Sequence, residues 1–242
     1  WSSGLSVSLS RDGTRVAIGA HVNVGDNGNN AGHVRVYDYN GTAWLQIGGD
    51  IDGEAAGDRS GVSVSLSSDG TRVAIGAHLN DGVNGNGSGH ARVYEYSGTA
   101  WLQIGGDIDG EAANDYSGWS VSLSSDGTRV AIGAYSNDGV NSTNSGHVRV
   151  YEYSGNAWAK VGSDIDGEAA DDLSGTSVSL SSDGTRVAIG AFENDGVNGT
   201  DSGHVRVYRL AAPSVPVPTL PLFGFGILVS LLGLFGLRKL RQ

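Results

Sequence analysis

The octapeptide Gly-Thr-Arg-Val-Ala-Ile-Gly-Ala occurs four times, with its threonines Thr14, Thr71, Thr128 and Thr185 each 57 residues apart. The same spacing carries Gly-His-x-Arg-Val-Tyr through His33, His90, His147 and His204, and the tryptophans Trp44, Trp101 and Trp158. A fixed period of this length means one supersecondary unit copied in tandem, each copy burying its apolar face against the next. Few other features could constrain the fold so strongly.

One unit, Ser60 to Tyr116, reads as four strands. Gly61 to Ser67 alternates apolar and small polar residues, the period of a strand. Ser68-Asp69-Gly70 is a tight turn, because Asp-Gly accepts the positive φ of a short hairpin. Thr71 to Ala77 is a second strand, with Val73 and Ile75 on one face and Ala74 and Gly76 on the other. The Asn/Gly/Asp-rich stretch Asn80 to Gly89 is a loop. His90 to Tyr96 is a third strand, Ser97-Gly98-Thr99 a turn, and Ala100 to Ile104 a fourth strand. Gly105 to Ser117 leads into the next copy.

Four short antiparallel strands per unit, without helical periodicity, predict an all-β chain of β-propeller blades. The repeats run 3–59, 60–116, 117–173 and 174–210, the last ending after its third strand, for fifteen strands in all. Alternate links leave opposite ends of an up-and-down sheet. The long loops therefore gather on one face and the tight turns on the other, and the long-loop face is where binding residues are expected. Further repeats are expected before Trp1, which opens the chain without a methionine or a signal peptide.

Composition narrows the chemistry. The chain of 242 residues has no cysteine, which removes disulfides, thiolate metal sites and a Cys nucleophile. A net charge of -11 with no basic stripe argues against a nucleic-acid partner.

The units resemble the FG-GAP repeats of integrin-α-type propellers, in their bacterial form. Ser117-Gly118-Trp119-Ser120-Val121 matches the Phe-Gly-x-Ser-Val element, with Ser for Phe. Gly133-Ala134 matches Gly-Ala-Pro with Tyr135 for Pro, and Val150-Tyr151-Glu152-Tyr153 matches the Val-Tyr-x-Tyr strand. Gly110-Glu111 stands at the family's distance before Ser117-Gly118. The resemblance implies a propeller that mediates adhesion or ligand binding outside the cytoplasm. The family's Asp-rich calcium loop is reduced to single carboxylates at Asp12, Asp69, Asp126 and Asp183, too few oxygens for calcium, so those sites are not carried over.

The links between repeats are acidic: Asp50, Asp52, Glu54 and Asp58, then Asp107, Asp109, Glu111 and Asp115, then Asp164, Asp166, Glu168 and Asp172. Clustered oxygens of this kind suit a hard cation, so calcium is the one cofactor these links leave open. Turn formation by Asp and Gly, with Glu capping loop amides, is the simpler account. The four histidines sit on different blades and cannot converge on one metal, which favours a structural role such as donating to a loop carbonyl. The arginines of the second and third strands (Arg72 and Arg92, for instance) are expected to pair with the acidic links or with neighbours such as Glu95.

After Leu210 the composition changes. Residues 211–219 form a Pro-rich linker, 220–237 are apolar and long enough to span a bilayer, and 238–242 are basic, with Arg238, Lys239 and Arg241 as the stop. Basic residues stay inside, which places the propeller outside the cytoplasmic membrane. Val217-Pro218-Thr219-Leu220, followed by Pro221, resembles the C-terminal sorting signals of the PEP-CTERM and IPTL-CTERM kind. That resemblance implies an exosortase-like processing enzyme as partner and delivery to the cell surface or extracellular matrix.

The combined expectation is a surface-displayed, non-enzymatic propeller that binds a protein or glycan in adhesion or matrix assembly. The alternatives are a secreted glycan-active enzyme whose site lies in missing blades, and a passive spacer. Near-identical repeats favour binding or spacing, because an active site needs an asymmetric constellation.

Overall fold

The computed structural model describes residues 3–139, 142–196 and 199–213. The expected membrane-spanning segment 220–237, the sorting motif Val217–Pro221 and the basic stop lie outside the described residues. Among those described, no helix is long and apolar enough to cross a membrane.

The described residues form eighteen strands in four antiparallel sheets. Blade 1 comprises β1 (Ser6–Leu9), β2 (Arg15–Ala20), β3 (His33–Tyr39), β4 (Trp44–Gln46) and β5 (Ile51–Asp52). Blade 2 repeats it as β6 (Ser63–Leu66), β7 (Arg72–Ala77), β8 (His90–Tyr96), β9 (Trp101–Gln103) and β10 (Ile108–Asp109). Blade 3 is β11 (Ser120–Leu123), β12 (Arg129–Ala134), β13 (His147–Tyr153), β14 (Trp158–Lys160) and β15 (Ile165–Asp166). Blade 4 has three strands, β16 (Ser177–Leu180), β17 (Arg186–Ala191) and β18 (His204–Arg209).

The expectation of four strands per unit holds with one correction: the outer strand is split in two. The β9 strand pairs with the end of β8 (Tyr96↔Trp101) and β10 with its start (Asp109↔His90). Between them Gly105-Gly106-Asp107 leaves the ladder, with Gly105 at a φ of +70°. The eighteen strands observed therefore exceed the fifteen expected by the three short continuations β5, β10 and β15.

Both faces of an inner blade are apolar, and they differ. Ala17, Val34 and Val36 of blade 1 meet Val64, Leu66, Val73, Ile75 and Tyr94 of blade 2 in one buried cluster. Ala74, Ala91 and Val93 of blade 2 meet Val121, Leu123, Val130 and Ile132 of blade 3 in the next. The period-2 alternation thus supplies a small-residue face and a bulky face, and each bulky face seats on the preceding small one. At the two ends these faces lie open: Val7 and Leu9 of blade 1, and Val205 and Val207 of blade 4, are each at least 60% exposed.

Ser63 Oγ donates to the Gly118 carbonyl at 2.8 Å, and Leu66 N donates to Ser8 Oγ at 2.9 Å. These bonds tie the first strands of successive blades side by side. At one end the tight turns join, Ser68 N to the Ser125 carbonyl and Ser125 N to that of Ser182. At the other end the long loops join the links: Gly57 N donates to the Asn29 carbonyl and Ser117 N to that of Ser88. The long loops and links do share one face. Repeated four-stranded antiparallel sheets packed in this way fit a propeller-like fold.

Candidate functional site

The solitary aspartates of the tight turns are structural. Asp69 Oδ1 accepts from Ser67 Oγ at 2.6 Å, Thr71 N at 3.0 Å and Thr71 Oγ1 at 2.9 Å. Asp12, Asp126 and Asp183 repeat this geometry. Such donors favour the ionised carboxylate and hold these groups below the usual range.

On the loop face the acidic links divide into three classes. Asp58 is buried, and its Oδ2 accepts from Ala55 N at 2.9 Å and Asn80 Nδ2 at 3.0 Å; Asp115 and Asp172 do the same with Asn137 and Asn194. Aspartate rather than glutamate therefore caps the link amides. Asp52, Asp109 and Asp166 contribute backbone carbonyls, each accepting from an arginine of the next blade (Arg92, Arg149 and Arg206). Burial raises the pKa of these three carboxyls.

The third class comprises Glu54 and Asp107, which meet at His90. A carboxylate oxygen of Glu54, a ring nitrogen of His90 and a carboxylate oxygen of Asp107 all lie within 4.8 Å of one another, and Glu111, His147 and Asp164 form the corresponding group one repeat on. Arg92 Nη1 stands 3.3 Å from Glu54 Oε1, and Arg149 Nη1 3.1 Å from Glu111 Oε1. Arg35 grips Asp50 through two bonds of 2.9 and 2.7 Å. Arg72 pairs with Glu95 at 2.9 Å. The arginines thus take both kinds of expected partner.

The histidines depart from expectation. His90 is 1% exposed, yet neither ring nitrogen has a hydrogen-bond partner, so it does not donate to a loop carbonyl. Burial, aided by the charge of Arg92, pushes its pKa down to about 4 and keeps the ring neutral. The four histidines do not converge, but convergence is unnecessary, because each inner one meets carboxylates from its own blade and from the preceding link.

A second feature was hidden by reading the repeats as equivalent. At the junction of blades 2 and 3 four rings gather: His78 lies edge-on to Trp119 at 5.0 Å, Trp119 edge-on to Tyr135 at 4.9 Å, and Tyr116 stacks on Tyr135 at 5.6 Å. The corresponding positions one repeat earlier hold His21, Val62, His78 and Arg59; one repeat later they hold Tyr135, Thr176, Phe192 and Leu173. Tyr116 has a φ of 55°, as Arg59 has 57° and Leu173 has 52°. The fold imposes this left-handed backbone in every link and leaves the side chain free to vary. The departures from the repeat at Tyr116, Trp119 and Tyr135 were the available signal.

Tyr116 borders two open clefts. One, of about 620 Å³, also includes Asn114, Asn137, Asp138, Asn144 and His147. The other, of about 360 Å³, also includes Asn80, Asp81, Asn86 and Asn114. The loops expected to carry ligand selectivity, from Asn80 and from Asn137, form parts of these walls.

Two segments of the chain, 51–94 and 108–151, match the FG-GAP repeat family. No curated protein matches the chain. Among solved structures, hydrazine synthase from Kuenenia stuttgartiensis is similar at 14% identity and a TM-score of 0.51, covering 86% of this chain and 49% of that one. A putative 6-phosphogluconolactonase from Bacteroides uniformis is similar at 15% identity and a TM-score of 0.54, covering 86% of this chain and 52% of that one. The chain spans about half the length of these structures, and at such identities the likeness concerns the fold alone.

Proposed function

We propose that this chain is a binding module without catalytic activity, and that its loop face holds a glycan at the junction of blades 2 and 3. The observation that carries the reading is the Tyr116–Trp119–Tyr135 platform, the place where aromatic rings interrupt an otherwise repeated surface. Half-exposed rings offer apolar faces to the C–H faces of a sugar, while the amides and carboxylates of Asn86, Asn114 and Asp138 in the adjoining clefts can bond its hydroxyls. Of the carboxylates lining the clefts, Asp58 and Asp115 are committed to link amides and Glu111 to Arg149, which suits recognition better than acid–base work.

Display completes the proposal. The apolar run 220–237 with its basic stop, and the Val217–Pro221 resemblance to a sorting signal, support passage of the blades to the outside of the cytoplasmic membrane. The protein then serves adhesion or matrix assembly. A glycan array, with Trp119→Ala and Tyr135→Ala beside the parent chain, tests the binding claim. Hits lost in both variants support it. Hits that survive both, or turnover of a bound polysaccharide, contradict it.

A further inference from the structure

Glu54, His90 and Asp107 come from three separate segments: the link after blade 1, the start of β8, and the break between β9 and β10. A buried imidazole with two unsatisfied nitrogens is costly unless something bonds it. Its Nδ1 lies 3.9 Å from Glu54 Oε2, too long for a hydrogen bond. In a four-coordinate site with bonds of about 2.1 Å, ligand atoms stand roughly 3.4 Å apart. Glu54 and Asp107 are exposed and can move inward to close that difference.

We propose that Glu54–His90–Asp107 and Glu111–His147–Asp164, the second with Lys160 Nζ 2.9 Å from Asp164, are two sites of corresponding residues for a first-row divalent cation of the Zn²⁺ class, which staples each link to the blade that follows. One imidazole nitrogen with two carboxylate oxygens suits such an ion, whereas calcium takes six to eight oxygens. A solvent molecule would complete the fourth position. Arg92 holds Glu54 Oε1 and turns Oε2 toward the histidine, the orienting part that outer groups play around metal ligands. Its positive charge offsets one carboxylate and limits affinity.

The fourth repeat supplies a control. His204 has Glu168 at 3.6 Å, while the aspartate position one repeat after Asp164 is Pro221. Among the described residues, the full set of three gathers at His90 and His147.

This inference does not rest on glycan binding and can be read without any glycan. The full chain, carrying no polyhistidine tag and stripped with EDTA, is titrated with Zn²⁺ against a chromogenic chelator. Two ions per chain are expected. Glu54→Gln with Asp107→Asn should lower this to one, and adding Glu111→Gln with Asp164→Asn to none. The visible band of four-coordinate Co²⁺ should fall in the same steps. Glu54, Asp107 and Glu111 are exposed and Asp164 is half-buried, and unchanged far-UV circular dichroism shows that each variant folds. A parent chain that binds no Zn²⁺, or a stoichiometry of two that survives the Glu54/Asp107 changes, overturns the proposal.

Discussion

The side-chain amide of Asn80 donates to the carboxylate of Asp58 at 3.0 Å, across the boundary between one blade's link and the next blade's loop, and both residues are buried. Asp58 also caps Ala55 N, so one oxygen joins a turn to a neighbouring loop. Removing Asn80 strands a buried anion with one fewer donor. Asn80→Ala is expected to cost about 2 kcal/mol in urea unfolding. A double-mutant cycle with Asp58→Ala should return coupling of about 1 kcal/mol or more.

Gly76 is held to glycine by its neighbour blade rather than by its own backbone angles. A Cβ there would fall on the Gly118 carbonyl, and Ser63 Oγ already bonds that oxygen. Gly76→Ala should therefore destabilise by about 3 kcal/mol, the reverse of the usual gain from replacing a strand glycine. Gly98→Ala, in an exposed turn with no atom within 4 Å, tests the contrast: only its φ of +94° opposes it.

The stacking of blades makes equivalent residues unequal. Val64 is 9% exposed against blade 1, whereas Val7, the same position one repeat earlier, is 63% exposed. Val64→Asp should cost about 3 kcal/mol or more, and Val7→Asp should stay within about 0.5 kcal/mol. Equal effects in thermal melts would mean that the blades do not pack as described.

Acid should loosen the aromatic junction. His78 is buried among Tyr116, Trp119 and the charges of Arg59 and His21, and its pKa falls from 6.5 to about 4, with burial the largest cause. The unfolded chain then binds a proton that the folded one refuses between these values. Stability rises with pH across the window, and is lost as pH drops from about 6.5 toward 4. The loss from this residue is on the order of 2 kcal/mol. Urea titrations should show it in the parent chain and a smaller slope in His78→Gln.

The sequence made some of this legible. Alternation in Val73-Ala74-Ile75-Gly76 told which faces were bulky and which small, and Asp69-Gly70 located the tight turns, because both are local properties of the chain. Two-residue β10 was not legible: Gly105-Gly106-Asp107 interrupts the alternation, and Ile108–Asp109 joins the sheet only because β8 extends beneath it. The acidic links read alike in sequence, but Asp52 and Asp58 serve separate contacts from Glu54 and Asp107, since their partners Arg92 and Asn80 come from the next repeat. The surroundings of His90 were hidden for the same reason: Glu54 comes from the preceding link, and no loop carbonyl accepts from the ring. The platform at Tyr116, Trp119 and Tyr135 is invisible in the repeat consensus, because these are positions where one repeat differs from the others.

The central functional claim is that an asymmetric aromatic junction on a symmetric array is where ligand binds. Hydrogen–deuterium exchange of the full chain, with and without a glycan identified on the array, tests it most directly. Protection is predicted at residues 114–119 and at Tyr135–Asn137, with none at the matching positions 57–62. Protection spread equally over both junctions, or confined to the tight-turn face, would contradict it.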